Sequence, residues 1–253
     1  VDYRAALIDE TKAFGDLIGT ADPATPVPTC PDWTIKQLFR HVGRGNRWAA
    51  QIVADQRGQP LDPREVPNGK PPDDPDGAVE WLNDGVRLLI DSVAAVGAHT
   101  PVWTFIGPKP AQWWIRRRLH EATVHRADAA IALGADYQIG PAVAADAIDE
   151  WLERVVAESA TGTATSERPL GRDQSLHLHA TDDGLGTAGE WTITGGDDGI
   201  AWSHEHGKGD AALRGTAKDL LLAIVRRQSA ADGNIEVFGD TAVWDGWLAR
   251  TPF

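Results

Sequence analysis

The sequence predicts two folded parts, a four-helix bundle followed by a smaller α+β domain. Three observations carry that expectation. Apolar residues recur at three- and four-residue spacing through most of the first 160 residues, the period of amphipathic helices. The spacing then changes to strict alternation, the period of half-buried strands. Between the two textures lies a small, polar stretch, Ser159 to Ser166, which reads as an interdomain linker. The expected domains are therefore 1–160 and 167–253.

The first helix runs from about Tyr3 to Ile18, with Leu7, Thr11, Phe14 and Ile18 on one stripe. A proline-rich connection reaches Pro31, and Thr34 offers an N-cap to a second helix striped by Ile35, Leu38, Phe39, Val42, Ala49, Ile52 and Val53. Gln59 to Pro75 is rich in Pro, Gly and Asp and reads as a loop. A third helix covers about Gly77 to Val96, and a fourth about Ala111 to Leu133, stopped by Gly134. A further helix, Pro141 to about Glu158, is expected to join the bundle. These helices and short connections argue for antiparallel packing.

Beyond the linker, Leu176, Leu178 and Ala180 alternate with His177, His179 and Thr181. Trp191 with Ile193 and Ile200 with Trp202 repeat the pattern, with Gly-Asp turns between them. Thr216 and Asp219 resemble a capping box for a helix carrying Leu220, Leu221, Ile224 and Val225. A strand at Ile235 to Phe238 and a short helix near Trp244 to Leu248 follow.

The chain has 253 residues and a formal net charge of −13. Such a balance repels phosphate backbones and disfavours general nucleic-acid binding; Arg116-Arg117-Arg118 is the one basic cluster. No apolar run approaches the ~20 residues of a membrane helix, and Val1-Asp2-Tyr3-Arg4 lacks a secretory pattern. A cytoplasmic address is the default expectation. The single cysteine, Cys30, leaves no internal disulfide and no multi-cysteine zinc site. The excess of arginine over lysine and the abundant alanine suggest a GC-rich genome.

The segment with most chemistry is Arg118-Leu119-His120-Glu121-Ala122-Thr123-Val124-His125-Arg126-Ala127-Asp128, inside the fourth helix. Glu121 and His125 are four apart and share a face. A carboxylate and an imidazole so placed can bind one divalent cation. The plainer reading is an exposed, weakly interacting pair. Asp128 follows His125 by three and can accept its second ring N–H. His120 and His125, five apart, lie roughly 140° apart around the helix and cannot comfortably share a metal. His41, at the edge of the second helix's stripe, is the best third ligand, although on its own it reads as a satisfied core histidine. Gly43, Gly45, Ala122 and Ala129 would let the two helices approach. Two histidines and one carboxylate leave open coordination positions, the pattern of a catalytic site.

With Cys30-Pro31-Asp32-Trp33-Thr34-Ile35, Leu38-Phe39-Arg40-His41-Val42, Asp219-Leu220-Leu221-Leu222 and Val237-Phe238-Gly239-Asp240, this segment resembles the mycothiol-dependent maleylpyruvate isomerase family of actinobacteria. The resemblance spans almost the whole chain in order. It implies a DinB-like metal-binding four-helix bundle, a sterol-carrier-like C-terminal domain, and zinc on His41, Glu121 and His125. It also implies mycothiol as the thiol cosubstrate and a C-terminal arginine at the site. The nearest matches for that arginine are Arg226 and Arg227, with no ground for choosing between them. A coordinated thiolate can add to an activated double bond, allow rotation and leave, or attack an electrophile and stay. The expected partner is a small electrophilic molecule, and a dicarboxylate would need local arginines such as Arg117, Arg118, Arg226 or Arg227. A binding or stress-response module with a non-catalytic metal, and metal-assisted hydrolysis, are the competing readings.

Trp33 and Trp114 can line a pocket near the metal, though core packing is the commoner fate of tryptophan. Cys30 reads as structural rather than nucleophilic. His177 and His179 share a strand face with no evident third ligand, and His204-Glu205-His206 reads as a turn.

Overall fold

The computed structural model describes residues 1–161 and 168–251, apart from the side chains of residues 160 and 161. The chain divides into two compact units, Val1–Tyr137 and Gln138–Phe253.

The first unit holds four main helices. Helix α1 (Tyr3–Ile18) is capped by Asp2, whose carboxylate accepts from the Arg4 and Ala5 amides, and it buries Leu7, Thr11, Phe14 and Ile18 as the period requires. Helix α2 (Ile35–Ala54) begins at Thr34, whose amide donates to Gln37 Oε1 at 2.6 Å, the reciprocal half of a capping box. The expected loop contains only a short 3-10 turn at Pro63–Glu65. Helix α3 (Pro75–Val96) starts two residues earlier than its apolar stripe suggests. Proline fits the first helical position, and Asp74 accepts from the Gly77 amide at 2.6 Å. A two-residue hairpin, β1 (Pro101–Val102) with β2 (Lys109–Pro110), precedes helix α4 (Trp113–Leu133), so the fourth helix opens slightly later than expected. Gly134 closes α4 in the left-handed conformation at φ 63°.

Helix α4 packs against α1 and α2, while α3 covers the other side of α2. The faces of α4 between Arg117 and Ala130 are nearly all buried, including Arg117, Arg118, His120, His125 and Asp128. Burying that many ionisable groups is costly unless each has a partner. This helix therefore carries the internal polar network of the unit.

The fifth helix, α5 (Pro141–Thr161), belongs to the second unit and not to the bundle, so the boundary lies some twenty residues before the expected one. Its buried Ala144, Ile148, Trp151, Leu152 and Val155 face structure of the α+β unit, where it packs on helix α6 and strand β5. Of the expected linker, residues 159–161 close α5, and 162–166 lie outside the described residues.

Strands β3 (Ser175–Ala180), β4 (Glu190–Gly196), β5 (Gly199–Ser203), β6 (Ala211–Gly215) and β7 (Glu236–Gly239) form one sheet in the order β5-β4-β3-β6-β7. Only β3 and β6 pair in parallel. Helix α6 (Ala217–Ile224) connects β6 to β7, capped by Thr216 as its sequence predicts, and α7 (Thr241–Arg250) follows β7. Leu176, Leu178, Trp191, Ile193 and Leu213 are all buried, forming with α6 the core of this unit.

Candidate metal centre

Glu121 and His125 project one turn apart from α4, and His41 arrives from α2. His41 Nε2 lies 3.4 Å from Glu121 Oε2, and His125 Nε2 lies 3.4 Å from the same oxygen. One ligand-type atom from each of the three residues falls within 4.8 Å of the others. The two imidazoles meet edge to face, with centroids 4.9 Å apart. Donors around a tetrahedral zinc with bonds of about 2.05 Å stand about 3.3 Å apart, so both measured edges suit such an ion. Helix α2 comes this close to α4 because Gly45 carries no side chain, whereas Gly43 makes the close approach to α3. A Cβ on Gly43 would overlap the Trp81 ring, and one on Gly45 would stand 2.5 Å from Arg118 Nη2.

The remaining polar atoms orient the trio. His125 Nδ1 is 2.8 Å from Asp128 Oδ2, which leaves Nε2 directed at Glu121. Asp128 is fully buried and also accepts from Thr29 Oγ1 at 2.6 Å and Cys30 Sγ at 3.4 Å. Glu121 is clamped by Arg117 from the preceding turn, and Arg118 Nη1 lies 3.5 Å from its Oε2. Arg118 in turn donates to Asn46 Oδ1 at 2.9 Å and to the Val42 carbonyl at 3.1 Å on α2.

The electrostatics follow from these contacts. Burial opposes ionisation of Glu121, but Arg117, the two histidines and Arg118 overcome it and hold the carboxyl well below its usual range. Burial also opposes the charged form of His125, yet Asp128, Cys30 and Glu121 outweigh it and push the ring up to about 10. His41 goes the other way: burial dominates and lowers it. Two-fifths of the His41 side chain is nonetheless exposed, because that ring opens onto a cavity while Trp33 and His125 wall in its other sides. Burial lowers Arg118 to about 10, still a cation at neutral pH.

That cavity, of about 360 Å³, is lined by Trp33, His41, Trp48, Trp114 and Glu121, and by Arg40, Arg44, Arg117 and Arg118. Trp114 is fully buried and stacks edge-on with Trp48 and Trp113 at centroid distances of 5.1 Å. Its indole donates to the Trp103 carbonyl, and that of Trp48 to the Leu61 carbonyl, which fixes this wall.

The trio named from sequence thus comes together. Trp33 and Trp114 line the adjoining cavity, and Asp128 stands behind His125 rather than in the cavity. His120 is buried outside the trio. Cys30 sits with His125 and Asp128, not with His41. Arg226 and Arg227 belong to the second unit, just after α6. Arg226 is exposed with φ 59°, and Arg227 donates to the Val225 carbonyl at 2.8 Å. Sequence reasoning missed the part played by Arg117 and Arg118, which are buried partners of Glu121 and not surface charges. Their i,i+4 and i,i+3 spacing from Glu121 was the available signal.

Comparison with known proteins agrees with this architecture. The signature of the mycothiol maleylpyruvate isomerase N-terminal domain matches residues 4–130, and that of the MDMPI C-terminal domain matches residues 142–246. The chain belongs to the mycothiol maleylpyruvate isomerase family. Uncharacterized proteins from two strains of Mycobacterium tuberculosis are each 28% identical over 150 residues, covering 57% of this chain and 69% of theirs. A crystal structure of the mycothiol-dependent maleylpyruvate isomerase matches with a TM-score of 0.61 over 93% of this chain and 91% of that one. A mutant of the same enzyme matches equally. At 14% identity these likenesses show the shared fold alone.

Proposed function

We propose that this family member is a divalent-metal enzyme that uses a low-molecular-weight thiol, mycothiol in its host, either to isomerise a small electrophile or to transfer the thiol sulfur onto it. The observation that carries the reading is the convergence of His41, Glu121 and His125 beside a walled cavity. A borderline-soft ion such as zinc suits two imidazoles and a carboxylate, and when bound it would keep a coordinated thiol deprotonated at neutral pH.

The chain's own residues set up that chemistry. Asp128 orients the His125 ring so that Nε2 faces Glu121, where it would serve as the ligand atom once an ion displaces its proton. Arg117 and Arg118 keep Glu121 ionised, so the donor set carries a negative charge. The tryptophan wall gives the cavity an apolar side. Arg40 and Arg44, at the same cavity, supply cations for an acidic cosubstrate or substrate despite the overall acidity of the chain. Small molecules, and not nucleic acids, are its partners in this reading. Among the described residues, no helix is long and apolar enough to cross a membrane.

Metal analysis and turnover test the proposal together. Protein purified without chelator should carry close to one ion in the trio, lost in His125→Ala and in His41→Ala. Activity on maleylpyruvate or related electrophiles should require both the ion and added mycothiol. A metal content unaffected by either substitution would overturn the reading, and turnover independent of thiol would point to hydrolysis instead.

A further inference from the structure

The polar face of the C-terminal sheet gathers a second set of donors, unrelated to the first and built wholly within the second unit. His177 and His179 alternate with buried leucines on β3, so both point away from the apolar core. The antiparallel register places Glu190 of β4 directly opposite His179, and Thr192 opposite His177. After β5 the chain folds back over this face. Thr192 Oγ1 donates to the Glu205 carbonyl at 2.7 Å, which delivers His206 to the same spot.

One ligand-type atom each from His177, Glu190 and His206 lies within 4.8 Å of the others. His177 Nε2 lies 2.7 Å from Glu190 Oε2, while His206 Nδ1 and His179 Nδ1 lie 3.2 Å and 3.4 Å from Glu190 Oε1. The His177 and His206 rings meet edge to face at 5.4 Å. His177 and Glu190 show a further sign. Their facing atoms are buried and form a close ion pair, and neither has a further hydrogen-bond partner. An arriving cation would displace the proton between them and take both atoms as ligands. The neighbouring cation, Arg214, is paired with Glu236 at 2.7 Å.

We propose that His177, Glu190 and His206, with His179 beside them, form a second binding site for a divalent transition-metal ion. Imidazole-rich donor sets favour zinc, copper and nickel over magnesium or calcium. The His206 side chain is 75% exposed, so the site opens to solvent and can exchange its ion.

Titration of metal-stripped protein with zinc chloride, read by equilibrium dialysis with elemental analysis, tests this directly. The His125→Ala chain should still take up one zinc, and the His125→Ala, His206→Ala chain should take up none. His206 is exposed, so its removal leaves the fold intact. Glu190→Gln should weaken the same uptake at least tenfold. If His125→Ala binds no zinc, or binds it equally with and without His206, the second site does not exist. Failure of the first centre would appear separately, as zinc uptake in the wild type that His125→Ala does not reduce.

Discussion

Asp128 shows how much one buried side chain can decide. Its carboxylate accepts from Thr29, Cys30 and His125, three groups from two separate segments. In Asp128→Asn, one carboxylate oxygen becomes a donor and must face another donor. Losing a hydrogen bond to a charged group costs about 1.5–3 kcal/mol. The His125 ring also loses its orientation, and zinc affinity at the first centre should fall roughly 10–100-fold. Competition against a fluorescent chelator measures the second effect, and unchanged affinity would show that Asp128 does not position His125. Arg117 has a related but different role. It is 2% exposed and clamps Glu121, so Arg117→Met leaves that buried carboxylate short of its main counter-charge. Breaking a buried pair from one side typically costs about 3–5 kcal/mol. Urea denaturation of metal-free protein should show a loss of that order.

Among the elements, the contacts of α2 with α3 and α4 are the most sensitive to added bulk. Trp81 on α3 lies over Gly43 and cannot move aside easily. Its indole donates to the Asn68 carbonyl, its backbone carbonyl accepts from Arg47, and the Arg47 guanidinium lies 5.0 Å from the ring centre. Gly43→Ala improves helix propensity by about 1 kcal/mol. The overlap with Trp81 should nevertheless prevail and destabilise the first unit by roughly 1–3 kcal/mol, read as a lower denaturation midpoint. A stabilised Gly43→Ala protein would show that the tryptophan has room to shift. The helices themselves were legible from apolar periodicity, and Gly43 and Gly45 stood out as small residues beside His41. The partner of α5 was not legible. An amphipathic stripe reports that a helix has a buried face, but not which sheet or helix buries it. The same limit hid the His177, Glu190 and His206 set. Its members sit on two strands and a return loop, and only sheet register brings them together.

For the whole molecule, net charge proved a poor guide to local charge. The chain carries −13, yet Arg40, Arg44, Arg117 and Arg118 all border one cavity. Bulk composition averages over a surface, whereas a cavity selects a few side chains through helix phase. Each unit has its own core, so calorimetry should resolve two transitions with separate zinc responses. Ion at a hundred times its dissociation constant stabilises a site by about 2.7 kcal/mol. The zinc-dependent shift of one transition should vanish in His125→Ala and that of the other in His206→Ala. A single transition altered identically by both substitutions would contradict this. The first centre has a consequence of its own. Two of its donors ride one turn of α4, whereas the third comes from 80 residues earlier in the chain. An intact α4 parted from α2 therefore keeps a two-pronged hook but no cage. Whatever pries α2 from α4 turns a three-point grip into a two-point one, and retention of the ion becomes a gauge of whether the bundle is whole.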